Sequence, residues 1–497
     1  MMRSIMKTAI LSLIAIFVIV PTASADNSVS RIDGGNRYSL SVNVAKKGWG
    51  TANTVVLIGK KAYADATAAV PLAYQHNAPV LFTNSKNLSS ETKKGLTSLK
   101  AKNVIAIGTT ASVSNNVINQ VKKLGISTKR ITGKNRYEIS TNIAKQMKSP
   151  AGIVVVEGHS YAHGIAIAPY AAQKGFPILY TDKKGLRSEI SSFARSSKIK
   201  QTIVIGGETY VTKAAYSKLK SPTRIKGANR YDIAAKIVNK YKLSTSNTYV
   251  ARGFGYASAP AAAGIAAKEK KALLLTNEKT LPVHTRAIIG SKNISKFTVV
   301  GNSTTVTNTV ASQLKNPVVG KTVFLDPGHG AHDSGAVGYG LYEKNLNLDV
   351  AKRVNTKLKN AGALTTMSRT SDTFDSLQTR VSKGASAKAD IFISVHANSN
   401  DNSSANGTET YYDKTYAAAN SLKLAQNIQP KMVSALGTRD RGVKTAGFYV
   451  IKYSKMPSVL LETGFVSSPV DSNILKSATY KDRLAAGISS GVSGYFR

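Results

Sequence analysis

An eight-residue pattern occurs three times in this 497-residue chain, and it restricts the possible folds more than any other feature. The pattern Arg-Ile-x-Gly-x-Asn-Arg-Tyr begins at residues 31, 130 and 224, so its copies are 99 and 94 residues apart. The same succession of strand-like and helix-like segments follows each copy. The sequence therefore predicts three tandem domains of one kind, over residues 26–125, 126–219 and 220–316.

Within each repeat, apolar β-branched runs alternate with helix-like stretches. The predicted strands are 54–59, 79–84 and 103–108 in the first copy, 153–158, 177–182 and 202–207 in the second, and 248–253, 272–277 and 297–301 in the third. An Ala-rich helix is predicted between the first two strands of every copy, at 64–75, 162–173 and 257–268. Strands that are apolar on both faces indicate a mostly parallel sheet covered on both sides, so each repeat is predicted to be a small α/β domain.

The repeated pattern itself has two interpretations. Its asparagine lies where a helix N-cap belongs, at Asn36, Asn135 and Asn229, which favours a tight turn followed by a capped helix. Alternatively, backbone amides at the helix start could bind anions together with the next residue, Arg37, Arg136 or Arg230. The two interpretations are compatible, and the residues alone leave both open.

The chain has a formal net charge of +42, and this charge is unevenly distributed. Residues 1–317 contain 46 basic and 12 acidic side chains, whereas the remainder contains 22 and 14. Such a field attracts polyanions. No nucleic-acid-binding signature accompanies it, which favours phosphate- or carboxylate-bearing wall polymers over DNA or RNA. The chain has no cysteine, so disulfides cannot stabilise it.

Residues 1–25 have the features of a signal peptide. Arg3 and Lys7 precede the apolar run 9–20, and the small residues Ala-Ser-Ala at 23–25 form a cleavage site. A single membrane anchor is the alternative, but the run is short for a span and no stop-transfer pattern follows it. We therefore expect a secreted protein located in the cell wall, with no transmembrane segment after cleavage.

After residue 316 the repeats stop and a fourth α/β pattern begins, predicted over residues 320–497. Its predicted strands are 321–326, 363–369, 390–395, 408–412 and 458–462; its predicted helices are 345–360, 377–388 and 420–433, and residues 441–444 are predicted to be a loop. The overall prediction is thus three small α/β domains followed by an α/β domain with a central, mostly parallel sheet flanked by helices.

Three polar residues follow strands of this fourth domain. His329 and His396 come after two strands and Glu462 ends a third, and the carboxyl edge of an α/β sheet is where functional sites assemble. Glu343 follows the glycine-rich segment 328–340 and begins a helix. Two imidazoles and one carboxylate are a common zinc ligand set, so the loop is interpreted as a ligand carrier. Glu462 is then a candidate acid or base.

Other polar residues are weaker candidates. His332 is a rival metal ligand without a strand to hold it. His159 and His163 have a chelating i, i+4 spacing, but the other two repeats lack histidines at these positions, so the pair is interpreted as incidental. Asp326 is expected either to orient His329 or to cap the loop. Arg380 is expected to form a packed ion pair. Arg441 and Lys444 are expected to contact carboxylates of the substrate, or solvent.

The motifs of the fourth domain resemble those of zinc-dependent N-acetylmuramoyl-L-alanine amidases, of the type found in autolysins of bacilli. They are Leu-Asp-Pro-Gly-His-Gly, Glu-Lys-x-x-Asn-Leu, Phe-Ile-Ser-Val-His-Ala-Asn, Arg-Gly-Val-Lys and Leu-Leu-Glu-Thr-Gly-Phe, in that order. The resemblance implies that His329, Glu343 and His396 bind Zn²⁺ and that Glu462 is catalytic. It also implies cleavage of peptidoglycan between N-acetylmuramic acid and L-alanine. The family usually has a second glycine after Gly330, where this chain has Ala331.

The three repeats are similar to the second type of cell-wall-binding repeat of Gram-positive surface proteins. This similarity implies noncovalent attachment to an anionic, teichoic-acid-like secondary wall polymer. Two alternatives to an amidase stay open at this point. One is a noncatalytic wall-bound structural or adhesive protein, and the other is a zinc peptidase that cuts within the stem peptide.

Overall fold

A computed structural model describes residues 26–196, 198–253 and 257–497. The predicted signal peptide, residues 1–25, lies outside the described residues. Within the described part of the chain, none of the helices combines the length and the apolar character needed to cross a bilayer.

Each repeat contains four strands and four helices in alternation. The first contains β1 (Ser28–Ile32), α1 (Arg37–Trp49), β2 (Thr54–Gly59), α2 (Tyr63–Gln75), β3 (Val80–Thr83), α3 (Ser90–Ser98), β4 (Asn103–Ile107) and α4 (Asn115–Lys122). The second contains β5 (Ser127–Ile131), α5 (Arg136–Lys145), β6 (Gly152–Glu157), a short 3-10 helix (Gly158–Ser160), α6 (Tyr161–Lys174), β7 (Ile178–Thr181), α7 (Ser188–Arg195), β8 (Gln201–Ile205) and α8 (Lys213–Tyr216). The third contains β9 (Pro222–Ile225), α9 (Arg230–Lys240), β10 (Ser244–Arg252), α10 (Ser258–Lys268), β11 (Lys271–Thr276), α11 (Val283–Ser291), β12 (Lys296–Val300) and α12 (Asn308–Lys315).

The repeats exchange strands around a closed ring. The three sheets have the orders β3-β2-β4-β5, β7-β6-β8-β9 and β1-β12-β10-β11, and all their pairings are parallel. The strand that opens each repeat therefore joins the sheet of the preceding repeat, and β1 completes the sheet of the third. These opening strands contain the Arg-Ile of the repeated pattern and were not predicted. They connect each repeat to the next through backbone hydrogen bonds.

The Ala-rich helices α2, α6 and α10 pack against one another at the centre of the ring. Ten residues of each helix are buried, and about half of these are alanines. Because alanine is small, helix backbones can approach closely without leaving voids. One core cluster includes residues of all three helices together with apolar residues from the sheets, so the repeats share a common core.

The fourth domain contains eight strands and six helices. They are β13 (Thr322–Pro327), β14 (Val337–Gly338), β15 (Leu341–Tyr342), α13 (Glu343–Ala361), β16 (Leu364–Met367), α14 (Leu377–Ser386), β17 (Ile391–Asn398), β18 (Thr408–Tyr412), α15 (Ala418–Leu436), β19 (Asp440–Thr445), α16 (Tyr449–Lys452), β20 (Ser458–Phe465), α17 (Pro469–Lys476) and α18 (Ala478–Tyr495).

Its six-stranded sheet has the order β16-β13-β17-β20-β18-β19, and only the pairing of β18 with β20 is antiparallel. Helices α13, α15 and α18 cover one face over a large apolar core. A smaller apolar cluster, which includes residues of β13, β17 and α16, fills the other face. The predicted α/β architecture is confirmed. The predicted loop at 441–444 was wrong, because these residues form the edge strand β19.

Candidate metal centre

The four predicted site residues meet at the carboxyl edge of the central sheet. His329 lies in the loop after β13, His396 near the end of β17, and Glu462 within the last half of β20. Glu343 is the first residue of α13, so the helix begins at this edge. A cavity of about 480 Å³ is lined by His329, His396 and Glu462 among other residues.

Glu343 lies between the two histidines. Its Oε2 is 3.2 Å from His329 Nε2, and its Oε1 is 2.8 Å from His396 Nδ1. His329, Glu343 and His396 each offer one potential ligand atom, and these three atoms all lie within 4.8 Å of one another. The carboxylate also accepts backbone N–H bonds from Ala336 and Ala397, which fix its position. Two imidazoles and one anionic oxygen at this spacing are a donor set that suits a divalent ion such as zinc.

Two glycines allow these side chains to approach the backbone closely. A Cβ at Gly328 would lie 2.2 Å from the imidazole of His396, and one at Gly335 would lie 2.5 Å from Glu343 Oε2. Gly335 also has a φ of +62°, which favours glycine. A side chain at either position would displace a member of the group.

His329 is oriented by Asp333. The Asp333 Oδ2 atom is 2.8 Å from His329 Nδ1, the ring nitrogen opposite the one that faces Glu343. Reciprocal backbone bonds between Gly330 and Asp333 close the turn that brings this carboxylate back. The prediction that Asp326 orients His329 was wrong. Metal-bound imidazoles usually donate their second N–H to such a carboxylate, and Asp333 fits that pattern.

Asp326 instead forms a buried ion pair beneath the loop. Its Oδ1 accepts a 2.9 Å bond from Arg380 Nη1, and both side chains are almost fully buried. Ser368 and Ser394 donate further bonds to the carboxylate, so its oxygens are satisfied. The predicted packed ion pair of Arg380 is confirmed.

The same arginine holds the backbone of the histidine loop. Arg380 donates to the carbonyls of Pro327 and His329, and the buried Arg369 donates to those of Pro327 and Gly328. Arg369 was not singled out from the sequence. It follows strand β16 at the same sheet edge as the other site residues, and this placement is the signal that could have identified it.

Glu462 has one carboxylate oxygen without a partner. Its Oε2 is buried and has no hydrogen-bond partner within the described residues. Burial raises the pKa of Glu462 well above its ordinary value, and the negative charges of Glu343 and Glu409 raise it further. Burial also favours a raised pKa for Glu343, but hydrogen bonds from His329 and His396 and the charges of these residues outweigh it and lower that pKa. The pKa values of two interacting carboxyl groups, Glu343 and Glu462, are therefore shifted in opposite directions, as in acid–base sites.

Arg441 and Lys444 bind a carboxylate of the protein itself. Arg441 Nε is 2.8 Å from Glu409 Oε2, and Lys444 Nζ contacts the same oxygen. Glu409 is buried and is the register partner of Glu462 on the neighbouring strand. Both cations neutralise Glu409 beside Glu462, so the alternative that they contact only solvent was wrong. Their contact with substrate carboxylates stays a prediction.

The remaining histidine candidates lie apart from the centre. The His332 ring packs against Phe374, with centroids 4.4 Å apart, and His332 does not belong to the metal-ligand group. His159 Nδ1 is 3.0 Å from Glu157 Oε1. His163 is buried against Tyr210, and burial together with the charge of Arg230 lowers its pKa to about 4. The interpretation of His159 and His163 as incidental agrees with these contacts.

In the repeats, the eight-residue pattern caps helices and ties loops together. The asparagine side chain of each copy accepts two backbone N–H bonds at the start of α1, α5 or α9, which confirms the predicted N-caps. The second arginine of each pattern donates to a backbone carbonyl just after the neighbouring strand: Arg37 to Lys60, Arg136 to Gly158 and Arg230 to Gly253. The first arginine bonds to carbonyls of the preceding sheet in the same way.

The fold and the site define a class of modular proteins: an α/β domain with a His–Glu–His metal-ligand group that follows three interlocked α/β repeats. Residues 323–494 match the family model described as N-acetylmuramoyl-L-alanine amidase, and residues 31–118, 130–216 and 224–311 match cell wall binding domain 2. The chain belongs to the N-acetylmuramoyl-L-alanine amidases that carry three cell wall binding domains of this type.

One similar protein is the N-acetylmuramoyl-L-alanine amidase LytC of Bacillus subtilis. It is 54% identical over 496 residues, an alignment that covers 100% of both chains. Among solved structures, Cwp6 from Clostridium difficile has a TM-score of 0.58 and 25% identity over 94% of this chain and 79% of its own. Cwp8 from the same organism has a TM-score of 0.52 and 30% identity over 56% of this chain and 50% of its own.

Proposed function

We propose that this protein is an exported autolysin that hydrolyses the amide bond between N-acetylmuramic acid and L-alanine in peptidoglycan. His329, Glu343 and His396 hold one zinc ion in this proposal. The observation that carries it is the convergence of these three side chains beside a fourth, Glu462. The buried Oε2 of Glu462 has no hydrogen-bond partner in the part of the chain that the structure describes. Family membership supports the reaction type.

The metal and Glu462 have different roles in hydrolysis. When bound, zinc supplies Lewis-acid chemistry, since it lowers the pKa of water to about 7 and polarises a carbonyl oxygen. Glu462 accepts the proton of the attacking water and later donates a proton to the departing amine of L-alanine. Burial raises the pKa of Glu462, which makes its carboxylate a stronger base toward the proton of water.

The surrounding residues keep the reacting groups in place. Asp333 fixes the ring orientation and tautomer of His329, and Arg380 and Arg369 fix the carbonyls of the loop that carries it. Glu409, bonded to Arg441 and Lys444, lies on the strand beside Glu462. These groups act by positioning, and such support is what holds a metal ligand set to a productive geometry.

Product analysis tests the reaction. Purified walls digested by the whole chain should release new L-alanine amino termini without new reducing sugars. New D-alanine ends would instead indicate a zinc peptidase that cuts within the stem peptide. Intact walls after prolonged incubation with zinc-loaded protein would indicate a noncatalytic wall protein.

The three repeats anchor the enzyme to an anionic, teichoic-acid-like wall polymer after export by the signal peptide 1–25. The excess of 46 basic over 12 acidic side chains in residues 1–317 supports an electrostatic anchor. Retention on purified walls should therefore decrease as salt is raised, since the Debye length shortens from about 10 Å at 0.1 M to about 3 Å at 1 M. Binding that is insensitive to salt would contradict this anchor.

A further inference from the structure

The three repeats differ in charge at positions that the fold makes equivalent. The strand register places Gly59, Glu157 and Arg252 opposite Thr83, Thr181 and Thr276, so these three residues correspond. The second residue of the helix after that threonine also corresponds: it is Glu91 in α3, Glu189 in α7 and His284 in α11. At the first position the three repeats carry glycine, glutamate and arginine in turn. At the second position the first two repeats carry glutamates, whereas the third carries a histidine.

In the first two repeats a carboxylate binds the capping asparagine from outside its helix. Asn36 Nδ2 donates to Glu91 Oε1 at 2.6 Å, and Asn135 Nδ2 donates to Glu189 Oε1 at 3.2 Å. In the third repeat His284 replaces the glutamate, and its Nδ1 lies 3.8 Å from Asp232. Among the described residues, no carboxylate accepts a bond from the Asn229 amide. The donor that is satisfied internally in two repeats is therefore available in the third.

A cavity of about 730 Å³ lies at this position in the third repeat. Its lining includes the Asn229 amide and three cationic side chains, Arg230, Arg252 and Lys279, against one acid, Glu278. Glu278 Oε2 accepts a 2.6 Å bond from Arg252 Nη1, and the cationic side chains of the lining outnumber this single acid by three to one. Cationic and amide donors around a cavity of this size match the oxygens of a phosphate or carboxylate group.

We propose that the third repeat contains the principal anion-binding site of the anchor, in the cavity formed by Asn229, Arg252 and Lys279. An anionic oxygen of the wall polymer occupies the place that the carboxylates of Glu91 and Glu189 occupy in the first two repeats. This site rests on the anchoring function proposed above and refines it. The three repeats share one fold but do not contribute equally to attachment.

The chain's own repeats supply the test variant. His284→Glu introduces the residue that the first two repeats carry, so the fold already accommodates it at that position. Its matched control is Lys240→Gln, which lowers the net charge of the third repeat by the same amount at the exposed end of α9. Arg252→Gln is a second variant, and circular dichroism melting of each whole chain confirms folding.

Binding is measured by cosedimentation of the full chain with purified walls in a short incubation on ice. We expect His284→Glu and Arg252→Gln to bind about tenfold more weakly than the parent chain, a loss of about 1.4 kcal/mol. Lys240→Gln should stay within about twofold. If both site variants bind as well as Lys240→Gln does, the proposed site is contradicted. The proposed anchoring function is not contradicted by that result. Absence of salt-sensitive binding by the parent chain would instead contradict the anchoring function itself.

Walls stripped of phosphodiester-linked polymers by hydrofluoric acid identify the chemistry of the ligand. Loss of parent binding on these walls, together with weakened binding of the variants on intact walls, supports a phosphate-bearing polymer in the cavity. Retained parent binding that His284→Glu still weakens supports a carboxylate-bearing polymer in the same cavity. Retained binding that neither variant weakens would contradict the site.

Discussion

His396 and Glu462 are register partners on the adjacent parallel strands β17 and β20. Residues paired in this way point to the same face of a sheet, so a metal-ligand candidate and a candidate acid–base group share one cavity. A shift of either strand by one residue would turn its side chain to the opposite face. The pairing therefore places a candidate metal ligand, His396, next to the candidate acid–base residue, Glu462.

Removal of the Glu462 carboxylate should abolish most of the activity and leave binding intact. Glu462→Ala is expected to retain zinc and to bind walls, while its amidase rate falls by about 10² to 10⁴ because proton transfer is lost. The rate of L-alanine amino-terminus release and the zinc content of the purified variant provide the measurement. Full activity in this variant would remove Glu462 from the mechanism.

A methyl group at Gly328 should disturb the metal centre. The added Cβ would lie 2.2 Å from the His396 imidazole, so Gly328→Ala must displace that ring or the loop. We expect zinc affinity to fall about tenfold or more, measured by competition with a chelating dye. Gly447→Ala is the matched control, because its nearest neighbour would be 3.9 Å away. Equal affinities for the two variants would show that the close approach has no importance.

The buried pair of Arg380 and Asp326 should contribute strongly to the stability of the fourth domain. Arg380→Met leaves Asp326 buried without its partner and frees the carbonyls of the histidine loop, so we expect a loss of about 3 to 5 kcal/mol. Arg353→Met removes partly exposed ion pairs and should cost about 1 kcal/mol or less. Calorimetric unfolding compares the two, and similar midpoints would contradict this difference.

Asp65 should make the stability of the repeats depend on pH. Burial raises its pKa from 3.8 to about 6, an effect that the charge of Arg136 only partly offsets. The folded state therefore binds this proton more tightly than the unfolded chain, and the stability so gained is present below about pH 4 and is lost as the pH rises to about 6. Asp65→Asn should be more stable than the parent chain by about 2 to 3 kcal/mol at pH 7, with little difference near pH 4.

Calorimetric unfolding of both proteins at the two pH values measures this effect. Glu208→Gln, which changes an exposed acid in the second repeat, should show no such dependence. A difference between Asp65→Asn and the parent chain that stays constant with pH would mean that Asp65 titrates normally.

The metal-ligand group could be predicted because each member has a local signal. His329 and His396 follow apolar strands, and parallel strands bring their carboxyl ends to one edge. The orienting carboxylate could not be predicted, since the choice between Asp326 and Asp333 depends on the turn at Gly330. Asp326 lies within β13, and its buried side chain accepts a hydrogen bond from Arg380.

The exchange of strands between repeats also could not be predicted from the sequence. Strands β1, β5 and β9 are short and alternate exposed and half-buried positions up to a buried final isoleucine, because each strand lies at the edge of its sheet. They lack the continuous apolar runs that identified the central strands. Edge strand β19, with Arg441 and Lys444, was taken for a loop for the same reason. Pairing with a distant partner determines such segments more than their own composition does.

Metal content measured together with activity tests the central claim most directly. The whole chain should contain one zinc ion, lose amidase activity when the zinc is removed by a chelator, and regain it when zinc is restored. His396→Ala should contain no zinc, whereas His332→Ala, which alters the histidine outside the group, should match the parent chain. Full release of L-alanine amino termini by protein stripped of metal would contradict the account.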